Sequence, residues 1–387
     1  MSTNQFFLSP GTILEGKKMI YKVESVLGFG GYGITYKVST KTNYSSDVFY
    51  FAIKEYFVKD WCERKENSSE MIYSASLAED VEDGKTDFIS EAKRLIQLRH
   101  RNIMRVYEEF EANNTAYYVM DFVEGENLRS MVLKNGAMTD EEVYKWATPI
   151  LEAVSYLQKN MIVHLDIKPA NIMMKYNENR GMYPVLIDFG QSKHYNKEGR
   201  VTSTIRVHGC SDGYAPLEQY VGVEEFNPQA DVYAVGASMV FCLTKSVPPK
   251  AVNLDDEKVY SLLPVTVDAK LRRIIFKSMS RGRKNRTKSA KIFLGELKRW
   301  HGEKYGMPKN GSNKGKKSRE RKNAVKVKSK KKNKKWVWVM IFAIIVLLMS
   351  IMMIVYKHNK KLFISNKSIS QIENRCEVPQ DKIVTYS

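Results

Sequence analysis

Cysteine is scarce: Cys62, Cys210, Cys242 and Cys376 are the four in 387 residues. None stands at metal-ligand spacing from another, and four do not make the framework of a small secreted fold. A zinc module and a disulfide scaffold are therefore not expected, and the first three cysteines fit a reduced compartment. The N-terminus, Met1 to Gln5, has no charged start and no long apolar core, so no cleavable signal peptide is expected. Acids are nearly missing from one tract, Lys314 to Lys335, which holds thirteen Lys or Arg against Glu320 alone. Most of the formal charge of +19 sits there, and residues 1–300 carry only about +3. A nucleic-acid binder would show basic residues on a folded domain with interleaved aromatics, so no nucleic-acid partner is expected.

What is present is apolar content for one large or two ordinary domains, and one dense polar stretch. His164-Leu165-Asp166-Ile167-Lys168-Pro169-Ala170-Asn171 follows the apolar run Met161-Ile162-Val163. Carboxylate, ammonium and amide lie two to three residues apart. Phosphoryl transfer needs a base near the attacking hydroxyl, a cation near the moving phosphate and a metal ligand. In isolation D-x-K-x-x-N reads better as a polar turn, so the matching parts must come from elsewhere in the chain.

Residues 1–20 read as an extension over the first strand. Tyr21 to Leu27 is β-prone and runs into Gly28-Phe29-Gly30-Gly31-Tyr32-Gly33, with a second strand over Ile34 to Ser39. Such a hairpin lets backbone approach phosphates, whereas a dinucleotide-binding turn would need a helix after the glycines. Val48 to Lys54 is a third strand, ending either in a functional ammonium or in a lysine snorkelling at a strand end. Residues 55–87 read as a long polar connection with little regular pattern. Phe88 to Leu98 reads as a helix with Glu91 bordering its buried face and Lys54 as candidate partner. Val106 to Glu111 and Ala116 to Phe122 are strands joined at Asn113-Asn114, and Val123-Glu124-Gly125 marks a boundary between lobes.

Thr139 and Glu142 form a capping box for a helix whose apolar face runs from Val143 to Leu157. Ile172 to Met174 and Val185 to Ile187 are short strands. The second ends in Asp188-Phe189-Gly190, where the acid is either a metal ligand or an ordinary strand exit. Residues 191–213 are hydroxyl-rich and read as a mobile loop. Ala230 to Leu243 is apolar nearly all round and predicts a buried helix, with Asp231 as cap or as brace for a neighbouring loop. Further helices are expected over residues 255–300.

In this order the pieces match the protein-kinase signature set, and over roughly residues 21–300 the chain resembles the bacterial serine/threonine protein kinases of the eukaryotic (Hanks) type. The resemblance implies an α+β, two-lobe fold. The N-lobe is an antiparallel sheet with one helix (about 21–122) and the C-lobe is mainly helical (about 123–300). It implies ATP with Mg²⁺, or Mn²⁺ in its place, and protein Ser/Thr hydroxyls as substrates. Gly28, Gly30 and Gly33, with Thr35 after them, match the phosphate-covering loop. Lys54 matches the phosphate-holding lysine and Glu91 its helix partner. Met120 falls at the gatekeeper position, Asp121 to Val123 at the hinge, and Ala52 and Met173 around adenine. Asp166 matches the catalytic base, Lys168 the phosphate-neutralising lysine, and Asn171 and Asp188 the metal ligands. Asp231 resembles the brace of the catalytic loop, and Glu218 with Arg286 the pair tying the activation segment to the large lobe. Ser211 keeps the hydroxyl expected before that segment ends, and Thr202, Ser203 and Thr204 are candidate phosphosites.

Several positions depart from the family pattern. The usual H-R-D reads His164-Leu165-Asp166, so the arginine that would grip a phosphorylated loop residue is absent. A-P-E reads Ala215-Pro216-Leu217-Glu218, and Thr35 replaces the usual valine. These departures put control and peptide docking in question more than chemistry. A nucleotide-binding pseudokinase scaffold is the alternative reading, although such scaffolds commonly lack a member of the set Lys54, Glu91, Asp166, Asn171 and Asp188, all present here.

After a basic linker (301–335), Trp336 to Tyr356 gives 21 residues without a charge, roughly 31 Å of helix. Twelve are Leu, Ile, Val or Phe, favouring insertion by on the order of 4–7 kcal/mol. A single transmembrane helix in the cell membrane is expected. Nine Lys or Arg in the fifteen residues before it, against four after, orient the kinase side to the cytoplasm and the tail 357–387 outside. Residues 314–335 are equally a topology signal or a contact to anionic headgroups. Cys376 is a candidate for pairing between two chains in a homodimer.

Overall fold

The computed structural model describes residues 6–31, 33–41, 47–179, 181–196, 210–220 and 227–306. The phosphosite candidates Thr202, Ser203 and Thr204, the basic tract, the span 336–356 and the tail lie outside these residues. Among the described residues no helix is long and apolar enough to cross a membrane.

The first lobe is an antiparallel sheet of six strands in the order β1-β2-β3-β4-β8-β7. These are β1 (Ile13–Glu15), β2 (Ile20–Gly30), β3 (Gly33–Lys41), β4 (Val48–Tyr56), β7 (Val106–Ala112) and β8 (Thr115–Asp121). Alternation decides what each face carries. From β4, Ala52 joins the apolar cluster that continues into the second lobe, while Ile53 joins Tyr36, Val38, Tyr117 and Val119 in a separate cluster on the outer face. The described part of the extension, residues 6–20, does more than cover the first strand, because β1 pairs Ile13 with Lys22 and Glu15 with Ile20 and so adds a strand to the sheet.

The connection 55–87 also carries more order than its composition suggests. It contains the hairpin β5 (Cys62–Arg64) and β6 (Met71–Tyr73), and helix α1 starts at Ala78, ten residues before the expected Phe88, and ends at Leu95. Two packing facts explain the difference. Arg64 is buried on Glu55, to which it donates at 2.7 and 2.9 Å. The helical Gly84 lies where a Cβ would run into the Tyr56 hydroxyl, so the Tyr56 ring fills that side of α1.

The second lobe follows Val123. Strand β9 (Glu126–Asn127) pairs with β11 (Ile172–Asn177), which pairs with β12 (Gly181–Leu186), and β10 (Ile162–Val163) pairs with β13 (Lys193–His194). The helices are α2 (Leu128–Asn135), α3 (Asp140–Lys159), α4 (Leu217–Tyr220), α5 (Gln229–Thr244), α6 (Asp256–Ser261), α7 (Ala269–Ser278) and α8 (Ala290–Tyr305). The capping box of α3 is present in both directions. Helix α5 is buried from Gln229 to Leu243, which is why its sequence shows no polar face. The lobes are stitched behind the cleft: Asn102 donates to the Pro184 carbonyl at 2.7 Å, and Met104 N to that of Leu186 at 3.0 Å.

Candidate active site

Helix α3 delivers the chain through β10 to the loop 164–171, and Asp231 of α5 fixes that loop from below. Its carboxylate accepts from His164 N at 2.9 Å and Leu165 N at 3.0 Å. Asp231 is therefore a brace and not a cap; the capping position of α5 is Pro228, without a side-chain bond. Burial pushes Asp231 up to about 6, and the two backbone donors pull the other way. His164 is also fully buried, which lowers its basicity. Its Nδ1 accepts from Asp166 N at 3.3 Å and its ring leans on Phe189 at 4.6 Å. Residues His164 and Phe189 thus tie the loop to the Asp188 segment, a role the sequence reading passed over.

The polar groups converge on Asp166, which is 6% exposed. Lys168 Nζ stands 3.0 Å from Oδ2, and Asn171 Nδ2 donates to Oδ2 at 2.9 Å and to the Asp166 carbonyl at 2.8 Å. The remaining oxygen, Oδ1, accepts from the Ser211 hydroxyl at 2.5 Å, and Ser211 Oγ itself accepts from Lys168 at 2.9 Å. A carboxylate so held can accept a proton from an alcohol with an ammonium beside it.

Across the cleft, Lys54 pairs with Asp188 at 2.9 Å. Burial works against the Lys54 charge, but Asp188 holds its ammonium above the ordinary range. The Lys54 charge in turn keeps Asp188 well below the usual carboxylate range. The direct ion pair of Lys54 is thus with Asp188 and not with Glu91. Glu91 accepts from Ser192 Oγ at 3.4 Å, and burial pushes it up to about 7 against the pull of Lys54 and Lys193. Lys193, on β13, is a second cation for this acid that the sequence reading did not single out.

Gly33 pairs with Tyr56 of β4, where a Cβ would meet the Glu55 carbonyl at 2.6 Å, so only glycine fits beside the turn of the hairpin. Thr35 faces Lys54 across the same strands. Ala52 pairs with Met120, and Ala52, Met120, Val123 and Met173 belong to one apolar cluster. Asp121 accepts from Tyr107 Oη at 2.5 Å and Arg105 N at 3.0 Å, which fixes the chain between lobes.

The donor set suits a hard cation. Both amide N–H bonds of Asn171 go to Asp166, which turns its oxygen away from that residue, and Asp188 offers a carboxylate that is 46% exposed. Magnesium takes one or two such oxygens together with phosphate oxygens, in place of a cage of side chains. Among the described residues no group of three or more His, Cys, Asp and Glu gathers.

Farther out, Arg286 and Glu218 form a buried bidentate pair at 2.6 and 3.3 Å. Leu165, at the position of the missing arginine, has φ +63° and packs with Val163, Tyr195 and Ala230. Gln219 Nε2 donates to its carbonyl at 2.9 Å. An apolar, packed side chain thus occupies the position that the family pattern gives to an arginine.

The geometry can be set beside known proteins. The protein kinase domain model matches residues 21–304. A probable serine/threonine-protein kinase of Clostridium acetobutylicum is 27% identical over 296 residues, 74% of this chain and 40% of its own. Serine/threonine-protein kinase B of Synechocystis sp. is 30% identical over 51% of this chain and 35% of its own. The chain thus spans well under half the length of these curated relatives. The solved apo form of PpkA-294 aligns over 75% of this chain and 99% of its own with a TM-score of 0.57 at 22% identity, a likeness of fold. With a two-lobe fold and a matched span that covers most of its length, the chain belongs to the protein kinase domain family.

Proposed function

We propose that the chain is a serine/threonine protein kinase, anchored in the cell membrane by residues 336–356 with its kinase domain in the cytoplasm. It would transfer the γ-phosphate of Mg·ATP to protein hydroxyls in signal transduction and phosphorylate itself. The observation that carries the reading is the Asp166 carboxylate, which accepts an alcohol's hydrogen bond at 2.5 Å while Lys168 stands 3.0 Å away. In this reading Asp166 orients the attacking hydroxyl and takes its proton, and Lys168 faces the charge that develops on the transferred group. Lys54, kept charged by Asp188, holds the phosphates, and the hairpin at Gly28, Gly30 and Gly33 covers them. Asn171 and Asp188 would hold the metal ion, which when bound neutralises phosphate charge. Relatives named as serine/threonine kinases support the hydroxyl as acceptor.

The test is incubation of the purified chain with Mg·ATP. Phosphoserine or phosphothreonine on the chain is expected, and Asp188→Asn is expected to abolish it. Nucleotide binding without any transfer would favour the scaffold reading. Because Leu165 stands where the family pattern has the arginine that reads a loop phosphate, activity is expected to survive the joint change of Thr202, Ser203 and Thr204 to Ala within about threefold. A drop to background in the same assay would show that a loop phosphate is the on-switch after all.

A further inference from the structure

The outer face of the glycine-rich hairpin is roofed by the start of the chain. Phe29, between Gly28 and Gly30, has its ring 5.8 Å from that of Phe6, 5.3 Å from that of Phe7 and 6.5 Å from that of Phe57. Phe6 also meets Phe57 edge-on at 6.1 Å. Phe29 pairs in register with Ile34, which is wholly buried in the outer cluster. The next residue, Thr35, faces the opposite side with Lys54. The aromatic roof and the phosphate side are therefore the two faces of one hairpin.

The roof is itself anchored. Arg64 Nη2 donates to the Phe6 carbonyl at 3.1 Å, and Leu8 N donates to Tyr36 Oη at 3.2 Å. Both anchors end on one group, Glu55, which accepts from Arg64 and, at 2.8 Å, from Tyr36. Glu55 adjoins Lys54 on β4 and points to the other face of the sheet. Beyond the roof, the hairpin is held by its own ladder and by Lys59, whose N donates to the Gly31 carbonyl at 3.2 Å and whose Nζ stands 5.8 Å from the Phe29 ring; Gly28, Gly30 and Gly31 bring no packing of their own. A Cβ at Gly28 or Gly31 would meet nothing within 4 Å, and one at Gly30 only the Gly33 carbonyl at 4.0 Å. Glycines without packing leave a loop wide conformational freedom, and ordering it around a ligand costs binding free energy.

We propose that Phe6 and Phe7 are positioning residues for the nucleotide: they hold the glycine-rich hairpin from its outer face, so that its backbone is pre-ordered where the phosphates bind. The inference rests on the ATP-site reading above. Because the clamp acts on the ordering of the loop and touches no reacting atom, its loss should appear in KM for ATP and in nucleotide affinity, not in kcat.

The test compares the full chain with Phe6→Ala/Phe7→Ala and Phe6→Leu/Phe7→Leu, measuring ATP affinity directly alongside KM and kcat. The alanine pair is expected to weaken ATP binding and raise KM about tenfold, with kcat within about twofold, given the usual strength of aromatic contacts. The leucine pair, which keeps apolar bulk, is expected to restore most of the affinity and holds the test open if the alanine pair does not fold. Unchanged affinity in a folded alanine pair, or a fall in kcat at constant KM, would overturn the clamp. A wild-type chain that binds no ATP would instead overturn the reading of the site.

Discussion

Asp166→Asn is expected to lower kcat for phosphate transfer by about 10²–10⁴-fold while the KM for ATP stays within about threefold, read from initial rates at varied ATP. Asparagine is isosteric and can still accept from Ser211 or Lys168, so the loop keeps its shape. What it loses is the ability to take a proton from the attacking hydroxyl. The nucleotide side is untouched, because Lys54 and Asp188 hold one another independently at 2.9 Å. Loss of ATP binding together with rate would assign Asp166 a structural task instead. Equal rates for the variant and the parent chain would remove it from the chemistry.

The largest effect on stability is expected at Arg286. Its guanidinium is fully buried and pairs with Glu218 at 2.6 Å. It also donates to the carbonyls of Ser280 at 3.0 Å and Gln229 at 3.2 Å, and lies 5.2 Å above the Tyr233 ring. Arg286→Ala leaves the Glu218 carboxylate buried without a partner, which costs about 3–5 kcal/mol. Denaturant unfolding should show the midpoint fall with little change in slope. Replacing both partners, as Arg286→Met with Glu218→Leu, should recover a large part of the loss, because no unpaired charge then remains. An Arg286→Ala chain as stable as the parent would mean that the pair is hydrated and contributes little.

Much of this arrangement was legible in the sequence because its signals are local. Thr139 and Glu142 announce the start of α3 within four residues. Asn113 and Asn114, with φ of +52° and +60°, mark the turn between β7 and β8 because asparagine tolerates the left-handed region. The loop 164–171 could be read because its three polar groups stand close along the chain. The unread parts depend on distant partners. Cys62-Glu63-Arg64 is too short and polar to announce a strand, and Arg64 is buried only because Glu55, Phe6 and Ser69 receive it. Likewise, residues 78–87 show acids at their start but little apolar periodicity, and Gly84 argues against a helix until Tyr56 is placed beside it. The choice of Asp188 over Glu91 as direct partner of Lys54 was also out of reach. It depends on where Ser192 brings a donor, and Lys193 its charge, to the same acid.

The outer roof of the glycine-rich hairpin belongs to this second group. Phe6 and Phe7 carry no motif, and their meaning comes only from Phe29, more than twenty residues away.

The central claim is that Lys54, Asp166, Lys168, Asn171 and Asp188 form one site for phosphate transfer. Its most direct test is to follow the terminal phosphate of Mg·ATP into serine or threonine of a generic acceptor protein, with the parent chain and Asp166→Asn side by side. Labelled hydroxyls with the parent chain and near-background labelling with the variant are the predicted result. A parent chain that binds Mg·ATP and labels neither itself nor the acceptor would contradict it.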